Sequence, residues 1–333
     1  MRKTLLTVIS TLMVLVLLVG CGKSTPAPST TTQGTNTGAQ QKTYKVAYVA
    51  RAQSDSFAAW LANAVKDEAK KYPNIKLDVM DGQANDDREN SLIENAITSK
   101  YDLVIVQPNN GEAQRPYVEK VVKAGMFAIT TNARISNIPG ASSVDANPYE
   151  QAAVNARAAV TQIPKNAKVV VLNGPSGNFH AEQRRKSWQT EFFEKRPDVK
   201  IVGEQIASWN KDEAMKYMED WVQSNDKIDA VISMNDNMAA GAIEVVKNNA
   251  KYKNMLAYGV DGTAEALLLI KDGKMTSTCM QNAYELATKL METSNKLLTG
   301  AEKKVDTDIG NPLINKDNVD QYIEILKKSG AIK

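Results

Sequence analysis

Residues 230–246 read AVISMNDNMAAGAIEVV. A short apolar run meets the polar break Asn235-Asp236, and a small, apolar stretch of helical composition follows. That is one strand, one turn and one helix. The same unit repeats in both directions along the chain. YKVAYVA (44–50), IKLDVMDG (75–82), DLVIVQP (102–108) and MFAITTN (126–132) come before AKVVVLNG (167–174), VKIVGEQIA (199–207), DAVISMND (229–236) and NMLAYGVDG (254–262). The segments between them carry apolar residues at helical spacing, as in Phe57, Leu61, Ala64 and Val65, or Leu92, Ile93, Ala96 and Ile97. Strand–helix alternation of this kind predicts α/β architecture, with parallel sheets covered on both faces by helices. The body of about 290 residues exceeds the usual single core, so two lobes are expected. The series divides near GASSVDANPYEQ (140–151), where a strand-like ASSVD meets a new helix at about Pro148.

The strands end in polar or turn-forming residues: Arg51 to Ser56, Gln107 to Asn110, Thr131-Asn132, Asn173-Gly174, Asn235-Asp236 and Asp261-Gly262. In open parallel sheets ligands bind outside the carboxyl ends of strands, and two such lobes facing each other would share a cleft. Such residues are also ordinary turn chemistry, so each alone is a weak signal.

Ahead of the body, Arg2 and Lys3 precede an apolar run from Leu5 to Val19, which closes in Leu18-Val19-Gly20-Cys21. The run is shorter than a membrane span of ~20 residues and suits a secretory signal. Its end resembles the bacterial lipobox, in which cleavage falls before the cysteine. We therefore read residues 1–20 as a lipoprotein signal peptide and Cys21 as an acylated anchor carrying diacylglycerol and palmitate-type chains. Gly22 to Thr43, rich in Ser, Thr, Gln and Gly, reads as a disordered tether. This places the body at the outer face of the cytoplasmic membrane, with the lipid as its only membrane contact. Cys279 then has no disulfide partner and is expected as a buried structural thiol.

The formal net charge is +3 and 24% of residues are charged, which makes no electrostatic case for nucleic acid. His180 is the only histidine, so paired-histidine zinc motifs are excluded and one base remains for any nucleophilic triad. NGPSGN (173–178) is not a G-x-S-x-G elbow, and neither a P-loop nor a G-x-G-x-x-G follows a strand. No metal or cofactor is expected, no catalytic residue is assigned, and His180 reads as a helix-start or hinge residue. What remains are neutral amides, single carboxylates and aromatics at strand ends, the groups that meet sugar hydroxyls and C–H faces. Among the tryptophans, Trp188 and Trp221 lie in helical periods and read as core, whereas Trp209 lies between a strand and a helix start and is expected in the cleft.

AVISMNDNMAAGAIEVV, with LAYGVDGTAEALLLIKDGKMTSTCMQN (256–282) after it, resembles the periplasmic sugar-binding proteins of the ribose/galactose type. These are the solute receptors of ABC importers, with the LacI-like periplasmic binding fold. The resemblance covers the body from YKVAYVARAQSDSFAAW (44–60) to the final helix. It implies a type I periplasmic binding protein with two Rossmann-like lobes, 44–144 plus 282–309 and 145–281 plus 310–333. They would be joined by three crossovers near Asp145, after Gln281 and near Gly310. It further implies a monomer that captures a carbohydrate for an ABC permease; a sensing module for a chemoreceptor or kinase, or a nucleoside or furanosyl-signal receptor, are the alternatives. Carried over by position, the ligand-binding residues are Asp55, Phe57, Gln107, Asn132, Arg184, Trp209, Asn235, Asp261 and Gln281. Two departures stand out: Asn132-Ala133 replaces the family's Asp-Arg pair with Arg134 one place late, and Ala58 replaces a second aromatic. Both suggest a roomier pocket and a short neutral oligosaccharide, with Trp60 and Arg134 as two further candidates.

Overall fold

The structure, a computed structural model, describes residues 42–328 and Ile332. Signal, anchor and tether up to residue 41 lie outside it. Two six-stranded sheets carry the architecture. The first contains β1 (Tyr44–Ala50), β2 (Ile75–Asp81), β3 (Leu103–Val106), β4 (Phe127–Thr131), β5 (Ser142–Ala146) and β11 (Asp306–Ile309), in the order β11-β5-β4-β3-β1-β2. The second contains β6 (Lys168–Asn173), β7 (Lys200–Ile206), β8 (Ala230–Ser233), β9 (Leu256–Asp261), β10 (Ser277–Met280) and β12 (Leu313–Asn315), in the order β12-β10-β9-β8-β6-β7. All pairings are parallel except β12 against β10. Each sheet with its helices is called a lobe below.

Side-chain alternation divides the first lobe's core in two. Val46, Tyr48 and Ala50 of β1 pack with α1 (Ser56–Ala69) and α9 (Ala283–Leu298). Ala47 and Val49 pack on the opposite face with α2 (Asp86–Thr98) and α3 (Gly111–Lys123). With both faces apolar, these strands read as unbroken hydrophobic runs. The second lobe is covered by α4 (Pro148–Gln162), α5 (Phe179–Trp188), α6 (Lys211–Ser224), α7 (Asp236–Val246), α8 (Ala264–Lys271) and α10 (Val319–Lys328). Trp188 and Trp221 are core residues there, Trp188 edge-on to Phe192 and Tyr258 and Trp221 stacked on Tyr217. Cys279 is buried on β10, and burial pushes its thiol far above the usual range.

Many helices begin with a side-chain cap on the residue that ends a strand loop: Asp55, Asn85, Asn110, Asn147, Asn178, Asn210, Asn235, Thr263 and Asn282 each accept from a first-turn N–H. These caps turn the chain at the carboxyl ends of the strands. The chain passes between sheets after Ala146, after Met280 and after Ile309. Among the described residues no helix is long and apolar enough to cross a membrane.

Candidate functional site

The first-lobe wall starts at the exit of β1. Asp55 caps α1 by accepting from the Ala58 N–H at 2.7 Å, and the same Oδ1 lies 3.0 Å from the Arg51 guanidinium. Its Oδ2 is buried without a hydrogen-bond partner. Phe57 follows in the first turn, fully buried. Gln107, at the exit of β3, donates to Asn132 Oδ1 at 2.7 Å and accepts from the Tyr48 hydroxyl at 3.1 Å. Asn132 ends β4 in the left-handed region, φ 49°, a conformation that asparagine tolerates.

The second-lobe wall is built around Arg184 on α5. Its guanidinium donates to Gln151 Oε1 (3.1 and 2.8 Å), to the Met234 carbonyl (2.8 Å) and to Gln281 Oε1 (2.8 Å), and lies 3.6 Å from Asp261 Oδ1. Gln281 is therefore held by its oxygen, and its Nε2 is buried without a partner. Ser208 and Trp209 both adopt left-handed backbone, φ 49° and 63°, which turns the indole over the strand ends. The ring lies flat against Gly174, where a Cβ would sit 2.3 Å from Cζ2. The guanidinium carbons of Arg184 and of Arg51, from the opposite lobe, each lie 5.6 Å from the ring centroid. Trp209 Nε1 is buried and unpaired. Asn235 caps α7 through Oδ1, and Asp261 ends β9 at φ 126°.

These walls meet. Phe57, Asn132, Arg184, Trp209, Asn235 and Asp261 line one cavity together with Arg51 and His180. Asp55 lines its mouth beside Arg51, Asn109, Pro175 and Trp209. Gln107 and Gln281 stand behind Asn132 and Arg184 as their hydrogen-bond partners. At the rim, Asn178 donates to the Asn109 carbonyl across the lobes at 3.1 Å. Burial holds the Asp261 carboxyl well above the usual range against the pull of Arg184, and lowers Arg184 below its own. Asp236, buried behind Asp261 on the Thr278 hydroxyl and the Thr263 N–H, is raised to about 7 by the same cause.

Sequence reasoning missed Arg51 as an individual site residue and gave His180 no place in the cavity. His180 is the second residue of α5, buried, with Nε2 3.0 Å from Asp145 Oδ2. Two candidates are not brought in. Trp60 packs edge-on between Phe57 and Tyr284 at 5.8 and 5.7 Å and lines a separate groove with Asn63, Thr263 and Glu265. It is one helical turn beyond Phe57, and the rings between which it packs fix its direction. Arg134 pairs with Asp308 on β11. One place beyond Ala133, its side chain lies outside the cavity lining, and Arg51 supplies the first-lobe guanidinium instead. Ala58 and Ala133, from which a roomier pocket was expected, are fully enclosed and neither lines this cavity. Among the described residues no cluster of metal-binding side chains occurs.

Comparison with known proteins bears on the same region. The family model described as a periplasmic binding protein domain matches residues 46–302. A xylitol-binding protein of Mycolicibacterium smegmatis is 28% identical over 260 residues, covering 78% of this chain and 74% of that protein. The ribose import binding protein of Bacillus subtilis is 26% identical over 299 residues, 90% of this chain and 94% of the relative. The solved Caulobacter myo-inositol binding protein, with myo-inositol bound, is 26% identical with a TM-score of 0.80, covering 85% of this chain and 97% of that one.

Proposed function

Because the chain belongs to the periplasmic binding protein domain family, with the type I arrangement of two α/β lobes, we propose that it is an extracytoplasmic solute receptor of an ABC importer. It closes over one neutral sugar or polyol, of the single-ring or pentitol size that the names of its relatives carry. The observation that carries this reading is a pair of buried polar atoms without partners at the cavity and its mouth: the donor Trp209 Nε1 and the acceptor Asp55 Oδ2. A buried polar group without a partner costs about 1–3 kcal/mol, and a hydroxyl both donates and accepts, so a polyhydroxylated ligand satisfies both. Each guanidinium at the cavity has a carboxyl beside it, Arg51 with Asp55 and Arg184 with Asp261. The Trp209 face supplies the apolar surface for sugar C–H groups. Relatives that bind xylitol, ribose and myo-inositol, by their names, agree with that class.

Closure brings Asn178 onto Asn109 and Arg51 onto Trp209, so the loaded form presents a surface that the open form lacks, and a permease reads that difference. Cys21 holds the receptor at the membrane through its lipid, with residues 22–43 as tether. The test is a thermal-shift screen against pentoses, hexoses, pentitols, cyclitols and disaccharides. A ligand at 100 times its dissociation constant adds ~2.7 kcal/mol of stability. A response to disaccharides with none to single-ring sugars or polyols refutes the size assignment, and no response to any refutes the ligand class.

A further inference from the structure

His180, the chain's only histidine, is where the two lobes and the cavity wall meet. It belongs to the second lobe through α5, while its partner Asp145 lies on β5 of the first, just before the chain crosses over. Asp145 is committed as an acceptor at both oxygens: Oδ1 takes the Ala146 N–H at 2.8 Å and Oδ2 takes the Arg134 N–H at 3.1 Å. The imidazole therefore donates through Nε2, leaving the Nδ1 lone pair 3.5 Å from Arg184 Nη2. We propose that His180 is an acid-sensitive bolt between the lobes: as a neutral imidazole it joins them over the ligand, and its protonation opens the cleft and releases the ligand. The inference rests on the closure described above.

A proton added at Nδ1 would point an N–H at a guanidinium that has its own partners in Gln151, Gln281, Met234 and Asp261. The charged groups around the ring are Asp145 from β5, Arg184 from α5 itself, Arg51 from the exit of β1 and Asp261 from β9. Arg51 is paired with Asp55, Arg134 is paired with Asp308, and Glu150 on the adjoining α4 faces Arg157. Burial and the two guanidiniums outweigh the single Asp145 carboxylate and hold the ring below its ordinary value. Opening the cleft returns the ring to water, where an imidazole titrates near 6.5. The sign follows: the open form takes up a proton that the closed form excludes, so closure becomes costlier as pH falls through that value. Between pH 7.5 and pH 5 this weakens binding by up to roughly 30-fold, the limit in which the closed form takes no proton in that range.

The test is calorimetric titration of the full-length protein with D-ribose, xylitol and myo-inositol from pH 7.5 to 5, for parent and His180→Asn. The expected result is a loss of up to roughly 30-fold in the parent and a loss of less than about threefold in the variant, since Asn cannot take the proton. Asp261 and Asp236, raised by burial in the closed form, bias closure the other way as pH falls, so an equally steep loss in His180→Asn overturns the proposal. The single imidazole signal in proton NMR of the parent decides the matter if the variant does not fold. Titration near 6.5 in the free protein with none above pH 5 in the sugar complex supports the bolt, and identical titration in both states overturns it. If none of the three sugars binds at pH 7.5, the same parent-against-variant titration is run with whichever ligand of the thermal-shift screen gives the largest response, and an equal pH dependence in parent and variant overturns the bolt.

Discussion

Replacing Gly174 by alanine should disable the site without altering any polar group in it. Gly174 ends the β6 exit under the Trp209 indole, and an added methyl would sit 2.3 Å from Cζ2, 2.4 Å from Cη2 and 2.7 Å from Cε2. Carbon atoms in contact need about 3.5–4.0 Å, so the ring must retreat by more than about 1 Å. It has little room, being 5% exposed on a backbone already fixed in the left-handed region. Overpacking of this kind costs typically 1–3 kcal/mol of stability. The displaced ring also loses its two guanidinium contacts and its position as the cavity wall. A desolvated cation–π contact is worth up to about 2 kcal/mol, so affinity should fall by roughly that amount, about 30-fold. The measurement is calorimetric titration with whichever sugar gives the largest thermal shift in the parent, alongside denaturant unfolding. Gly203→Ala is the control. Its methyl would meet Trp221 at 2.4 Å on β7, where that ring is packed as core, so it should destabilise comparably while leaving affinity within about twofold. If Gly174→Ala binds within twofold of the parent, Trp209 is not a wall of the binding site.

Asn235→Ser should keep the α7 cap, and with it stability to within about 0.5 kcal/mol, yet weaken binding about tenfold by removing the amide donor; titration together with unfolding separates the two roles. Asp261→Ala should weaken binding by about 2 kcal/mol or more, and unchanged affinity would remove the residue from the site. Glu89 is buried under the Asn109 loop and raised by burial to about 8, so the folded protein holds a proton there that the unfolded chain releases near 4.3. The stability it contributes is present below that value and lost as pH rises toward 8, so the unfolding free energy of the parent should fall relative to Glu89→Gln across that range. Cys21→Ala should leave an unprocessed precursor or release the protein, detected by membrane fractionation, with the affinity of the body unchanged.

The α/β alternation was legible because strands buried on both faces read as unbroken apolar runs, and β1 is the clearest case. β10, β11 and β12 were not. They are three or four residues long, and their strand character comes from pairing with β9, β5 and β10 rather than from their own pattern. At the site, polar strand ends pointed to the right places without separating two roles. Asn110 serves only as a cap, whereas Asn235 caps a helix and lines the cavity, and the residue type is the same. Arg51 was hidden because its inward direction is set by Asp55 nearby and by Trp209 in the other lobe, far along the chain. Arg134 misled for the converse reason. It lies one residue past Ala133, where the resemblance puts the arginine, and its direction is decided by Asp308, which arrives at the far end of the sequence.

The order in which the chain emerges adds a constraint that the finished molecule does not display. α9 and β11 complete the first lobe, yet they are made after nearly all of the second. Until residue 298 has been delivered, the face formed by Val46, Tyr48, Leu103, Ile105 and Ile129 has α1 against it but lacks α9, the second of the two helices that cover it. A chain threaded through a membrane from its amino end therefore cannot finish its first-made half first. The second lobe's strands β6 to β9 are contiguous in sequence and can associate earlier, while the opening segment waits, apolar surface exposed, for its late helix. Truncation near residue 282 removes little of the second sheet, but it leaves the first permanently unroofed, which makes the final fifty residues a folding requirement of the opening hundred.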